Sequence, residues 1–188
     1  RAYVSIQNCY VTGEINNTAS SAQTGGIVGR NGSFYSDMFN ITDCQNYASI
    51  TSNGNGSAGG ILGVGGYVEN MDNCSNYGRI GTTSKAEYCV AGGVIGNLYN
   101  GNTINNCFNI GDMGASSTLS SAYINAGGII GFTNTASEGV FLTNSYNIGD
   151  ISATLDTTSS STSGELYAGG ISGRSIGINI SDCFNTGN

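Results

Sequence analysis

Two short blocks alternate along the 188 residues, and this internal repeat constrains the fold more than any other feature. The first block reads Ala/Thr-Gly-Gly-Ile/Val-x-Gly and begins at Thr24, Ala58, Ala91, Ala126 and Ala168. The second centres on Cys9, Cys44, Cys74, Cys107, Ser145 and Cys183. Three residues before each centre stands an apolar side chain (Ile6, Ile41, Met71, Ile104, Leu142, Ile180), and Asn or Asp directly precedes it. Two residues after it stands Asn46, Asn76, Asn109, Asn147 or Asn185, with Val11 breaking the column in the first copy. Gly follows at the fourth position, with Ala48 as the departure, and Ile15, Ile50, Ile80, Met113 or Ile151 at the sixth.

Successive centres are 35, 30, 33, 38 and 38 residues apart. The added length falls in Ser/Thr-rich stretches such as 114–121 and 152–163, which are expected to be loops projecting from a constant cross-section. The repeated segments are short, β-branched and punctuated by Gly, the pattern of strands of about five residues joined by turns. One copy cannot bury its apolar face, whereas stacked copies bury a continuous one. The chain is therefore expected to be all-β, a right-handed parallel β-helix (solenoid) of about five coils, with one coil per repeat. The handedness follows from the strong preference for right-handed crossovers between parallel strands. Residues 1–188 read as a single array, an excerpt of a longer chain.

Composition excludes several functions. Five Lys and Arg against twelve Asp and Glu give a net charge of −7, so no cationic field exists to hold nucleic acid or anionic lipid. Histidine is absent, which removes the commonest general base and zinc ligand. No apolar run approaches the roughly 20 residues of a membrane helix, so no membrane insertion is expected.

Gly-Gly-Ile-Val-Gly (25–29), together with Ile-Thr-Asp-Cys-Gln-Asn-Tyr (41–47) or Ile-Asn-Asn-Cys-Phe-Asn-Ile-Gly (104–111), resembles the GLUG repeat. That resemblance covers essentially the whole chain. It implies a bacterial surface or adhesin-type protein, or a non-catalytic region of a secreted IgA-cleaving metallopeptidase. Ser145 and Val11 depart from the pattern.

The candidate residues are structural. Cysteines in one column of a parallel ladder lie ~4.8 Å apart with parallel Cβ vectors, wider than the ~3.8 Å a disulfide prefers. Reduced thiols packed as small hydrophobes are therefore expected at Cys9, Cys44, Cys74, Cys107 and Cys183, with Ser145 in the same slot. A Cys74–Cys89 bridge across one coil is the candidate exception. The Asn column is expected to form a hydrogen-bonded amide ladder. Tyr10, Tyr47, Tyr77, Phe108, Tyr146 and Phe184 share a face, read as core or half-buried, although an outward face would make a stripe for sugars or a protein partner. Asp112 and Asp150 fall on adjacent coils but lack the partners of a lyase site and read as a solvated face. No catalytic residue, cofactor or metal site is expected. The Gly-Gly blocks lack the Lys-Ser/Thr of a phosphate loop and recur five times, so they read as structural.

These features point to a non-catalytic extracellular or cell-surface module, a stalk or adhesion segment that meets a host glycan or protein through its loops, 152–167 above all. The alternatives are a polysaccharide-active β-helix enzyme or accessory domain of a secreted protease, and a filament subunit associating end to end or with flanking repeats.

Overall fold

The computed structural model describes residues 3–32, 38–85, 87–135, 139–156 and 163–188. These residues contain strands and turns but no helix. Every strand pairing is parallel, and the strands stack into five ladders of six, six, five, five and five strands. The chain is a β-solenoid of about five turns.

One coil shows the plan. Val68–Asp72 contributes to the first ladder, Ser75–Asn76 to the second and Ile80–Ser84 to the third. Tyr88–Gly92 then joins the fourth ladder and Ile95–Leu98 the fifth, before Gly101–Asn105 begins the next coil. Register follows the sequence repeat: Ile41, Met71, Ile104, Leu142 and Ile180 are consecutive partners in the first ladder. Ile15, Ile50, Ile80, Met113 and Ile151 are partners in the third.

The two apolar columns feed separate cores. The first gathers Ile41, Met71, Ile104 and Leu142 with Cys44, Cys74, Cys107 and the Ile/Val residues of the Gly-Gly blocks. The second gathers Ile50, Ile80, Met113, Ala58, Ala91, Ala126 and Cys89. Between them runs a wall of Asn and Gly. A Cβ added at Gly60, Gly93 or Gly128 would lie within about 2.5–2.6 Å of Asn76, Asn109 or Asn147, half a turn further along the chain. The second glycine of each block thus leaves room for an amide, and this close approach ties the two sequence blocks together.

The Asn or Asp before each centre has a backbone role. Asn8, Asp43, Asn73, Asn106, Asn144 and Asp182 all hold φ between 50° and 55°. These are the left-handed turns between the first and second ladders, where Asn and Asp are tolerated better than other side chains bearing a Cβ.

Two loop expectations are corrected. Met113–Ser117 and Ile151–Leu155 are strands of the third ladder, and Glu165–Gly169 is a strand of the fourth. Burial alternates along both third-ladder strands, buried with half-buried in Met113–Ser117 and half-buried with exposed in Ile151–Leu155, so these segments form the wall rather than projecting as loops. Residues 157–162 lie outside the described residues.

Candidate functional site

The amide file is continuous. Asn46 Nδ2 donates to Asn76 Oδ1, Asn76 to Asn109, Asn109 to Asn147 and Asn147 to Asn185, each at 2.6 Å. The second N–H of each amide donates to the carbonyl two residues on, at 2.7–3.0 Å (Ala48, Gly78, Gly111, Gly149, Gly187). Asn46, Asn76, Asn109 and Asn147 are fully buried. A buried amide is tolerated only when its polar atoms are paired, and here the pairing spans coils.

All six cysteines are free. Cys44, Cys74, Cys107 and Ser145 are fully buried, while Cys9 and Cys183, in the outermost coils, are exposed and half-buried. Each thiol in the column donates to the carbonyl two residues before it, at 3.2–3.3 Å. Ser145 Oγ makes the same bond to Thr143 at 2.8 Å and accepts from the Cys107 N–H at 3.1 Å. The slot therefore selects a small side chain with one donor, which is why Ser replaces Cys. Burial pushes the Cys44 thiol up to about 11. The hydrogen bond to Cys107 and then burial raise the Cys74 thiol further.

The Cys74–Cys89 bridge is not formed. The two residues belong to different cores, and Cys89 Sγ is 2.9 Å from Thr82 Oγ1 and 3.3 Å from the Ser116 carbonyl. Asp112 and Asp150 do stand on adjacent coils, but as caps. Asp112 Oδ1 accepts the Asp150 N–H at 3.1 Å, and Asp150 Oδ1 accepts the Asn188 N–H at 3.0 Å. Among the described residues no cluster of three or more Asp, Glu, Cys or His could hold a metal ion.

The reading of the aromatic column as core or half-buried holds for Phe108 and Tyr146, which are half-buried, and is corrected for the rest, which are exposed; the column faces outward. Tyr10 is 75% exposed, Phe184 54% and Tyr77 37%, whereas Phe108 and Tyr146 are half-buried. Tyr47 and Tyr77 stack at 4.6 Å, Phe108 and Tyr146 at 4.9 Å, and Tyr146 and Phe184 at 5.0 Å, with Tyr77 edge-on to Phe108 at 5.6 Å. The left-handed residue precedes each Cys, so alternation runs unbroken from the buried Cys through the buried Asn two residues on, and the positions one and three after the centre face outward.

A second outward surface has more chemistry, and the sequence reading passed over it. Where the fourth ladder meets the fifth, each coil turns at its Gly-Gly pair, and a groove of about 570 Å³ runs along the corner. A Cβ on Gly63, Gly96 or Gly131 would meet carbonyl oxygens at 2.5–2.7 Å, so backbone closes the corner and only Gly fits there. The flanking column of the fourth ladder holds Gln23, Ser57, Val90, Asn125 and Tyr167. The facing column of the fifth ladder holds Arg30, Val64, Asn97, Phe132 and Arg174. These columns stand directly before and after the near-invariant Gly-Gly blocks yet change in every copy. That contrast of variable walls on a constant floor was the signal available in the sequence.

Three details define the groove. Tyr88 and Tyr123 stack at 5.4 Å along its rim. The Arg174 guanidinium lies 5.6 Å from the Phe132 ring centroid and 5.2 Å from that of Tyr167. Tyr167 is itself anchored by donating its hydroxyl to Glu165 at 2.7 Å, a bond that raises its pKa. Asn97 and Asn125 are only 8% and 3% exposed, yet the Oδ1 of each finds no hydrogen-bond donor among the described residues. Both line the groove.

Comparison of the chain with protein-family models, with curated proteins and with solved structures finds no match.

Proposed function

We propose that this chain is a non-catalytic module of an extracellular or cell-surface bacterial protein, a stiff solenoid that presents a binding surface rather than a reaction centre. The resemblance to GLUG repeats belongs to this proposal, resting on the Gly-Gly-Ile-Val-Gly and Ile-x-Asn/Asp-Cys-x-Asn blocks. The observation that carries it is the division of labour within each coil. Inward and corner positions repeat because the amide file and the glycine wall demand them. The columns facing the groove instead change from rung to rung. A scaffold of this kind holds side chains at fixed spacing on rigid strands, which lowers the ordering cost of binding.

Immobilised protein exposed to a glycan array and to a panel of extracellular-matrix proteins tests the reading. Saturable retention of at least one component is expected. If neither set is retained, the ligand-presenting role is refuted.

A further inference from the structure

We propose that the groove between the fourth and fifth ladders binds an acidic saccharide, whose ring hydroxyls donate to Asn97 and Asn125 and whose acidic substituent meets Arg174. The proposal rests on the ligand-presenting reading above and specifies where the ligand sits and what it is.

Charge comes first. The protein carries more than two acidic residues for each basic one, yet among the described residues no Asp or Glu lines the groove, whereas Arg30 and Arg174 do. In an acidic protein, the Arg174 cation held in this concave strip is set to attract an anion there. Arg174 is half-buried and held against the Phe132 and Tyr167 rings. No hydrogen-bond or ion-pair partner of its guanidinium is found among the described residues. Stacking fixes the plane of the group and leaves its N–H donors at the edge, the geometry that recognises a carboxylate or sulfate.

Hydrogen-bond polarity then narrows the anion. Both buried amides present an unpartnered acceptor, Asn97 Oδ1 and Asn125 Oδ1. Each occupies a column in which the neighbouring coil has Val, namely Val64 beside Asn97 and Val90 beside Asn125. The fold therefore does not require Asn at either position, and an apolar side chain fills the same place one rung away. Leaving a buried carbonyl without a donor is costly, and a ligand that donates hydrogen bonds removes the cost. A simple inorganic anion offers too few donors, whereas a sugar acid offers a row of hydroxyls together with one negative group. The volume, about 570 Å³, lies within the range of small-molecule sites. Tyr88, Tyr99 and Tyr123 add aromatic edges and hydroxyls along the same strip.

The experiment titrates the whole chain with four probes: an oligogalacturonate, the same oligomer reduced at its carboxyl groups, a sialylated trisaccharide and a sulfated glycosaminoglycan fragment. At least one acidic probe is expected to bind, and the reduced oligomer at least tenfold more weakly than its acid form. The affinity of the acidic probe is expected to fall as salt rises. Asn97→Val, Asn125→Val and Arg174→Gln are each expected to weaken binding tenfold or more. The two Val variants are expected to unfold at the same temperature as the parent or higher, because each removes an orphaned acceptor.

Failure of every acidic probe overturns the groove assignment, as does binding that all three variants leave unchanged. A lower unfolding temperature in both Val variants would show that the amides serve the fold and would likewise overturn it. In all of these cases the ligand-presenting reading survives if the wider array retains another ligand, and falls only if that array is blank as well.

Discussion

Replacing Asn109 by Ala removes one rung from the middle of the amide file. Its Oδ1 accepts from Asn76 Nδ2 at 2.6 Å, and its Nδ2 donates to Asn147 Oδ1 at 2.6 Å and to the Gly111 carbonyl at 2.7 Å. The substitution strands an N–H of Asn76, the side-chain oxygen of Asn147 and the Gly111 carbonyl, all on buried residues. At about 1–3 kcal/mol for each stranded buried group, the loss comes to about 3–9 kcal/mol, a large share of the 5–15 kcal/mol that holds an ordinary domain together. The glycine wall cannot close over the gap, because Gly93 already approaches Asn109 through its backbone.

The control is Asn185→Ala in the last coil. Asn185 is exposed, so its truncation opens the N–H of the buried Asn147 to water, which replaces the lost partner. Its expected cost is below about 1 kcal/mol. Chemical denaturation monitored by far-ultraviolet circular dichroism reads both variants. Equal losses at the two positions would refute the argument, since they would show that the file adds nothing beyond the local turn. A loss below about 1 kcal/mol at Asn109 would refute it too.

Gly93→Ala places a methyl against the Gly128 carbonyl and within 2.5 Å of Asn109 Cγ; the expected outcome is a loss of several kcal/mol or failure to fold, read by the denaturation midpoint. Gly81→Ala, whose Cβ would meet nothing nearer than 3.9 Å, should fold with stability close to the parent. Alkaline pH should destabilise the protein through its buried thiols. Cys44 is raised to about 11, and Cys74 and Cys89 are also raised, so these groups stay protonated in the folded state while their unfolded counterparts ionise near 9. Their contribution is complete below about pH 9 and is lost as pH rises towards 11 and beyond. Denaturation midpoints measured across that range should fall, and Cys44→Ser should flatten the fall.

The axial organisation was readable from the sequence because identical residues stack on themselves. The Cys, Asn and apolar columns all follow from that rule, and so does the parallel sheet. What could not be read is which columns touch across the coil. Asn109 and Gly93 are 16 positions apart in sequence and meet only when the coil closes, so the amide ladder was visible while the wall enclosing it was not. The outward turn of the aromatic column was implicit in the same columns: with the Cys and the Asn two residues on both inward, alternation turns the positions between and after them outward. Ser145 illustrates the reverse case. A departure from the Cys column already argued for a small slot, and the bond to Thr143 supplies the chemistry. The groove is not legible in the repeat, because the repeat consists of the columns that stay constant and the walls of the groove are the ones that vary.

Within the amide file every donor points the same way, from Asn46 towards Asn185. Hydrogen bonds between parallel strands alternate in direction, as in Gln45 N–H to the Cys9 carbonyl and Ile50 N–H to the Arg79 carbonyl, so their dipoles along the axis largely cancel. Those of the side-chain amides add. The array thus behaves as a small electret, with a permanent moment that lengthens with every coil and gives one end of the rod a different electrical character from the other.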